Sequence, residues 1–184
     1  MIPQDIVMAG FGGQGVLLSG KLLASAAMGE GRQVSWLPSY GPEMRGGTAN
    51  VTVCIADTPI GSPLVARPTM LLVMNQPSLE KFGSAVVPGG IVVINSTLIP
   101  ISLEREDCTI LYLDAGKMAE AAGAARAANI AMLGALVGLS QVVTKEHCLE
   151  VIEKEFQRKP RFVPINLAVF QTGYAEGEKK RTAV

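Results

Sequence analysis

With 184 residues, the chain is long enough for one domain with a sizeable core, and its 16 Lys and Arg offset its 16 Asp and Glu. No global field therefore draws it to nucleic acid or an acidic membrane. Charged residues make up 17% of the chain, against roughly 25% in ordinary domains. A mean hydropathy of +0.32 adds to the impression of surface given up to partner chains, or of a large, well-filled α/β core.

The first element is an apolar run over residues 6–9, read as a buried strand, followed at once by Gly10, Phe11, Gly12, Gly13, Gln14 and Gly15. Residues 16–28 are rich in helix formers and apolar at helical spacing. Strand, G-x-G-x-x-G turn and helix together suit an anion at the helix N-terminus, and Gly10, Gly12, Gly13, Gln14 and Gly15 are its candidate binding residues. A dinucleotide site also needs an acid at the tip of the next strand to hold the ribose. That strand, residues 33–37, runs into Pro38, Ser39 and Tyr40 with no acid there. The loop is thus either a phosphate cradle or a tight turn that lets helix and strand pack, and the missing acid favours the turn.

Pro38, Pro42 and three glycines predict irregular structure over residues 38–47, a segment that also concentrates Tyr40, Glu43 and Arg45. Residues 48–56 alternate apolar and polar, which predicts an antiparallel strand near a sheet edge. Buried strands are expected over 69–75, 89–95 and 108–114, with a short helix over 77–82. Asp114 and Thr144 are placed to cap helices over 115–121 and 145–157. Between them, residues 127–139 form a core helix whose small residues Ala127, Ala131, Ala135 and Gly138 admit a close neighbour. A last helix covers 164–174, and the basic cluster after Glu178 reads as a solvated, frayed end.

Cys54, Cys108 and Cys148 are far apart and form no C-x-x-C, so no disulfide framework, zinc site or cluster spacing is indicated. His147, the only histidine, sits beside Cys148 as an ordinary helix-surface pair. The N-terminus has no basic region or cleavage site, and the longest apolar stretch, 127–139, is too short for a bilayer, so a cytoplasmic protein is expected. Strands alternating with helices predict a three-layer α/β sandwich whose sheet is mixed but mostly parallel, formed by residues 1–184 as a single domain.

Four stretches carry a family resemblance: residues 10–15, the Ser-Tyr-Gly-Pro-Glu-Met-Arg-Gly-Gly run over 39–47, the Asn-Ile-Ala-Met-Leu-Gly-Ala run over 129–135, and Asn166-Leu167-Ala168 with Gly173-Tyr174. Together they resemble the gamma subunit of 2-oxoacid:ferredoxin oxidoreductases, closer to the 2-oxoglutarate and branched-chain members than to the pyruvate members. The resemblance implies a complex that decarboxylates a 2-oxoacid on thiamine diphosphate and Mg²⁺. It would pass electrons through iron–sulfur clusters to ferredoxin and deliver the acyl group to coenzyme A. Alpha, beta and ferredoxin-like delta-type subunits would hold those groups, and this chain would bind no cofactor by itself. Tyr40, Glu43 and Arg45 would then face partner subunits or coenzyme A. The competing expectation is a stand-alone nucleotide-binding oxidoreductase built on the glycine loop.

Overall fold

The computed structural model describes residues 3–40, Tyr40 by its backbone only, and 47–183. In chain order the elements are β1 (Gln4–Phe11), α1 (Val16–Gly29), β2 (Gln33–Tyr40), β3 (Thr48–Ala56), β4 (Met70–Val73), α2 (Gln76–Phe82), β5 (Ile91–Asn95), β6 (Thr109–Leu113), α3 (Ala115–Ala121), α4 (Ala128–Ser140), α5 (Lys145–Phe156) and α6 (Val163–Thr182). The strands form one sheet in the order β2-β3-β1-β4-β5-β6. β1, β4, β5 and β6 are parallel neighbours, while β3 runs antiparallel to both β1 and β2. This is the mixed, mostly parallel sheet with helices on both faces that the element order predicts.

The period-two geometry of a strand splits each apolar run between two cores. Ile6 and Met8 of β1, with Met70 and Leu72 of β4, enter the larger core, which α1, α4 and α6 help to close. Val7, Ala9, Leu71 and Val73 point the other way, under α2 and the segment carrying Val86 and Ile99. Continuous apolar sequence is therefore what a strand covered on both faces requires.

α4 is buried from Asn129 to Leu139, so it has no polar face to show. Its close neighbour is α6. A Cβ on Gly134 or Gly138 would strike the backbone of α6 at Phe170 or Tyr174, and one on Gly173 or Gly177 would strike α4 at Ala131 or Ala135. Each helix thus presents a G-x-x-x-G face to the other. The rising pairs 134 with 170 and 138 with 174 make the two helices parallel. The small-residue stripe read from the sequence does admit a close neighbour, although Gly134 and the two α6 glycines were not part of it.

Two boundaries differ most from the sequence expectation. β2 continues through Pro38 to Tyr40 instead of ending at Leu37. It is an edge strand, where a residue without an N–H is tolerated. α6 continues past Tyr174 to Thr182, so the basic cluster lies in a helical turn and not in a frayed end. Tyr174 and Gly177 are buried against α4, and positive side chains suit a helix C-terminus.

The caps behave as expected. Asp114 accepts a hydrogen bond from Lys117 N–H, and Thr144 accepts one from His147 N–H. His147 Nδ1 also lies 2.8 Å from Thr144 Oγ1 and 3.6 Å from Glu30 Oε1, so this histidine joins α5 to the end of α1. Cys148 is buried, and that burial pushes its thiol well above the usual cysteine range. Burial does the same to Cys54, pushed up to about 12, so neither thiol offers a thiolate near neutral pH.

Candidate functional site

The 10–15 loop turns the chain from β1 into α1 without a side-chain cap, Gly15 holding the N-cap position at φ 79. Its shape is fixed from within. Gln14 Oε1 accepts from Phe11 N–H at 2.6 Å, and Gln14 Nε2 donates to the Met74 carbonyl at 3.1 Å. Both ends of this amide are spent on the scaffold. Gly10 is required because a Cβ would come within 2.6 Å of Gln14 Oε1 and 2.8 Å of Met74 Cβ.

Behind the loop stands Asn129, buried at the start of α4. Its Nδ2 donates to the Gly15 carbonyl at 3.1 Å and to Ser19 Oγ at 3.2 Å, and Ser19 Oγ donates to the Asn129 carbonyl. A Cβ on Gly15 would press into the same Asn129 side chain, at 2.7 Å. The third glycine of the motif therefore makes room for α4, not for β1. The 10–15 loop and the 129–135 run, two of the stretches that carry the resemblance, thus meet in one buried joint.

The C-terminal ends of β1 and β2 meet at one sheet edge, flanking the start of β3. Phe11 stands opposite Thr48 and Tyr40 opposite Ala49, and Gly12 N–H donates to the Gly47 carbonyl at 2.9 Å. Glu43 and Arg45 lie outside the described residues, and Tyr40 enters only through its backbone. The glycine loop thus touches the Gly47 end of the segment that carries these three residues, while the Tyr40 end lies one strand beyond it, across β3.

A cavity of about 540 Å³ opens at this edge, lined by Phe11, three of the loop glycines (Gly12, Gly13 and Gly15), Val16, Leu17, Trp36, Pro38 and Ala49. Phe11 and Trp36 remain 37% and 41% exposed. Trp36 and Phe11 were not singled out in the sequence, yet strand periodicity carries the signal: Val34, Trp36 and Pro38 share the face of β2 that looks toward α1. An apolar wall of this kind receives apolar surface more readily than a ribose or a phosphate chain.

Topology also weighs against a dinucleotide. β3 is inserted between β1 and β2, so the β2 tip stands two strands, or roughly 10 Å, from the glycine turn. In a dinucleotide fold that tip lies beside the turn and carries the ribose acid. Here both the acid and the adjacency are missing, and the stand-alone nucleotide-binding reading has no support.

The chain is an α/β fold with an apolar, glycine-lined edge. Residues 5–176 match the pyruvate ferredoxin/flavodoxin oxidoreductase family, and the chain belongs to it. The ketoisovalerate oxidoreductase subunit VorA of Methanothermobacter marburgensis is 41% identical over 169 residues, covering 91% of this chain. The chain spans only 35% of that protein's length. The 2-oxoglutarate synthase subunit KorC of Methanocaldococcus jannaschii is 34% identical, with 93% of this chain and 92% of that protein aligned. A solved structure, the gamma subunit of a keto/oxoacid ferredoxin oxidoreductase from Geobacter sulfurreducens PCA, superposes with a TM-score of 0.80 at 31% identity. The superposition covers 96% of this chain and 99% of that one.

Proposed function

We propose that this chain is the gamma-type subunit of a multi-subunit 2-oxoacid:ferredoxin oxidoreductase, and that its glycine-loop edge is the face it turns to the catalytic subunits. The observation that carries this reading is the meeting of the glycine loop, Trp36, Pro38 and Ala49 around one apolar cavity, at the sheet edge where β2 ends and β3 begins. Membership in the oxidoreductase family supplies the reaction: oxidative decarboxylation of a 2-oxoacid to its acyl-coenzyme A, with electrons leaving to ferredoxin. Thiamine diphosphate, Mg²⁺ and the iron–sulfur clusters belong to alpha, beta and delta-type partners in this reading. This chain contributes walls, not redox chemistry.

Two roles fall to its own residues. The apolar cavity takes apolar surface from a partner and keeps water from the shared edge. Tyr40, Glu43 and Arg45 supply the polar contacts, Arg45 with a planar fork suited to a partner carboxylate or a phosphate of coenzyme A. Gly10, Gly12, Gly13, Gln14 and Gly15 hold the edge in shape, and any anion met at the α1 N-terminus is secondary to that role.

The test is isolation of the chain, through an affinity tag, from cells that make its natural complex. Thiamine- and cluster-bearing chains should co-elute in fixed proportion, and Arg45→Ala should weaken that association while the isolated chain's melting temperature stays unchanged. A chain that elutes alone under gentle conditions overturns the reading. Calorimetry with NAD or FAD should show no binding in the micromolar range, and such binding would restore the nucleotide alternative.

A further inference from the structure

A second cavity, of about 400 Å³, opens on the other side of the first turn of α1, away from the glycine-loop edge. It lies between Leu18, the 123–127 turn, the end of α5 and the start of α6. Phe156, Phe162 and Ile130 make its walls apolar, and Arg126 and Lys159 stand exposed at its rim. Neither cation forms an ion pair among the described residues. Arg161, over the Phe162 ring at 4.7 Å, adds a third positive charge beside the opening. Because α4 and α6 are parallel, their positive N-terminal ends share this side of the molecule.

Two buried amides line the same space. Asn129 and Asn166 are 4% and 5% exposed. The orientation of each is set by a backbone carbonyl that can only accept: Asn129 Nδ2 donates to Gly15 O, and Asn166 Nδ2 donates to Phe162 O at 2.8 Å. Each Oδ1 therefore remains an acceptor, and no donor reaches either one among the described residues. Neither oxygen is closed off from solvent, so each is an acceptor open to an incoming donor.

We propose that this cavity receives an acidic polypeptide segment of a partner subunit. An apolar side chain would sit between Phe156 and Phe162, a main-chain N–H would reach the Oδ1 of Asn129 or Asn166, and a carboxylate would meet Arg126 or Lys159. Acceptors deep in the cavity and cations at its rim match a chain segment, which offers N–H groups along its backbone and acids on its side chains. Charge complementarity then selects the partner and speeds its approach. The proposal rests on the subunit reading above, but it concerns a different face of the molecule.

Hydrogen–deuterium exchange on the assembled complex, compared with the isolated chain, tests it. Amides over 123–130 and 156–166 should exchange at least about tenfold more slowly in the complex. The double substitution R126E/K159E should remove that slowing and leave the isolated chain's melting temperature unchanged. A complex that forms with these amides unprotected overturns this inference and leaves the subunit reading intact. A chain that isolates alone overturns both. Slowing that survives R126E/K159E overturns the acidic segment. If the isolated chain already shows the slowing, and native mass spectrometry finds a small molecule held there, a small ligand replaces the polypeptide and the proposal fails.

Discussion

At the α4–α6 contact a Cβ on Gly134 or Gly138 would strike a neighbouring backbone, whereas at Gly13 a Cβ would meet nothing within 4 Å. Both regions look alike in sequence, as glycines at short regular spacing. In the helix pair the absent side chain is the point, because each glycine leaves the room that a backbone carbonyl of the neighbouring helix fills. In the loop, Gly13 stands at φ 97 in open space and supplies only a backbone conformation that L residues rarely adopt. Gly15 combines both demands, with φ 79 and Asn129 pressed against it. Glycine spacing alone therefore does not report a ligand.

Substitutions separate the two regions. Gly134→Ala should cost the most, about 3 kcal/mol, because the obstacle is backbone and α4, buried along its length, cannot shift freely. Urea unfolding should show a lower midpoint with an unchanged slope. Asn129→Ala comes next, at about 2 kcal/mol, since it strips the Gly15 carbonyl and Ser19 of their partner at a buried joint. It should also loosen the loop, visible as faster amide exchange at Ser19. Gly13→Ala should cost about 1 kcal/mol, from backbone strain alone, and Gly13→Asn less than that. If Gly13→Ala proves as damaging as Gly134→Ala, the contrast between the regions collapses.

The smallest effect lies outside both regions. Hydrogen bonds from Thr97 Oγ1 and from Lys117 N–H hold the Asp114 carboxyl below the usual carboxylate range. A depressed folded-state value gives stability that is complete above the unfolded value, roughly 3.9, and is lost as pH falls through the folded value. The melting-temperature difference between the parent and Asp114→Asn should therefore be constant above about pH 4 and shrink below it.

Much of this was legible from residue pattern. The buried strands follow from continuous apolar runs such as Met70–Val73, and the α3 and α5 caps follow from Asp114 and Thr144. The mixed sheet was readable from the alternation in β3, which needs one wetter face. The insertion of β3 between β1 and β2 was not, because strand order depends on pairing between distant segments and leaves no local mark. For the same reason Trp36 did not stand out: its neighbours in the cavity, Phe11 and Val16, lie on other elements. Gln14 could be suspected as a ligand contact from its place in the motif, but only the folded loop shows both ends of its amide occupied. The roles of Gly173 and Gly177 required knowing that α6 lies along α4.

An omission and add-back assay tests the central claim most directly. The alpha, beta and delta-type chains proposed as its partners are purified with and without this chain, and coenzyme A-dependent oxidation of 2-oxoglutarate and of a branched-chain 2-oxoacid is followed with a dye acceptor. The account predicts no turnover by this chain alone, strongly reduced turnover by the partners without it, and restoration on adding it back in equal proportion. Turnover by the lone chain above a no-protein blank, or full activity of the partners in its absence, would contradict the claim that this chain is a necessary, non-catalytic wall of the shared site.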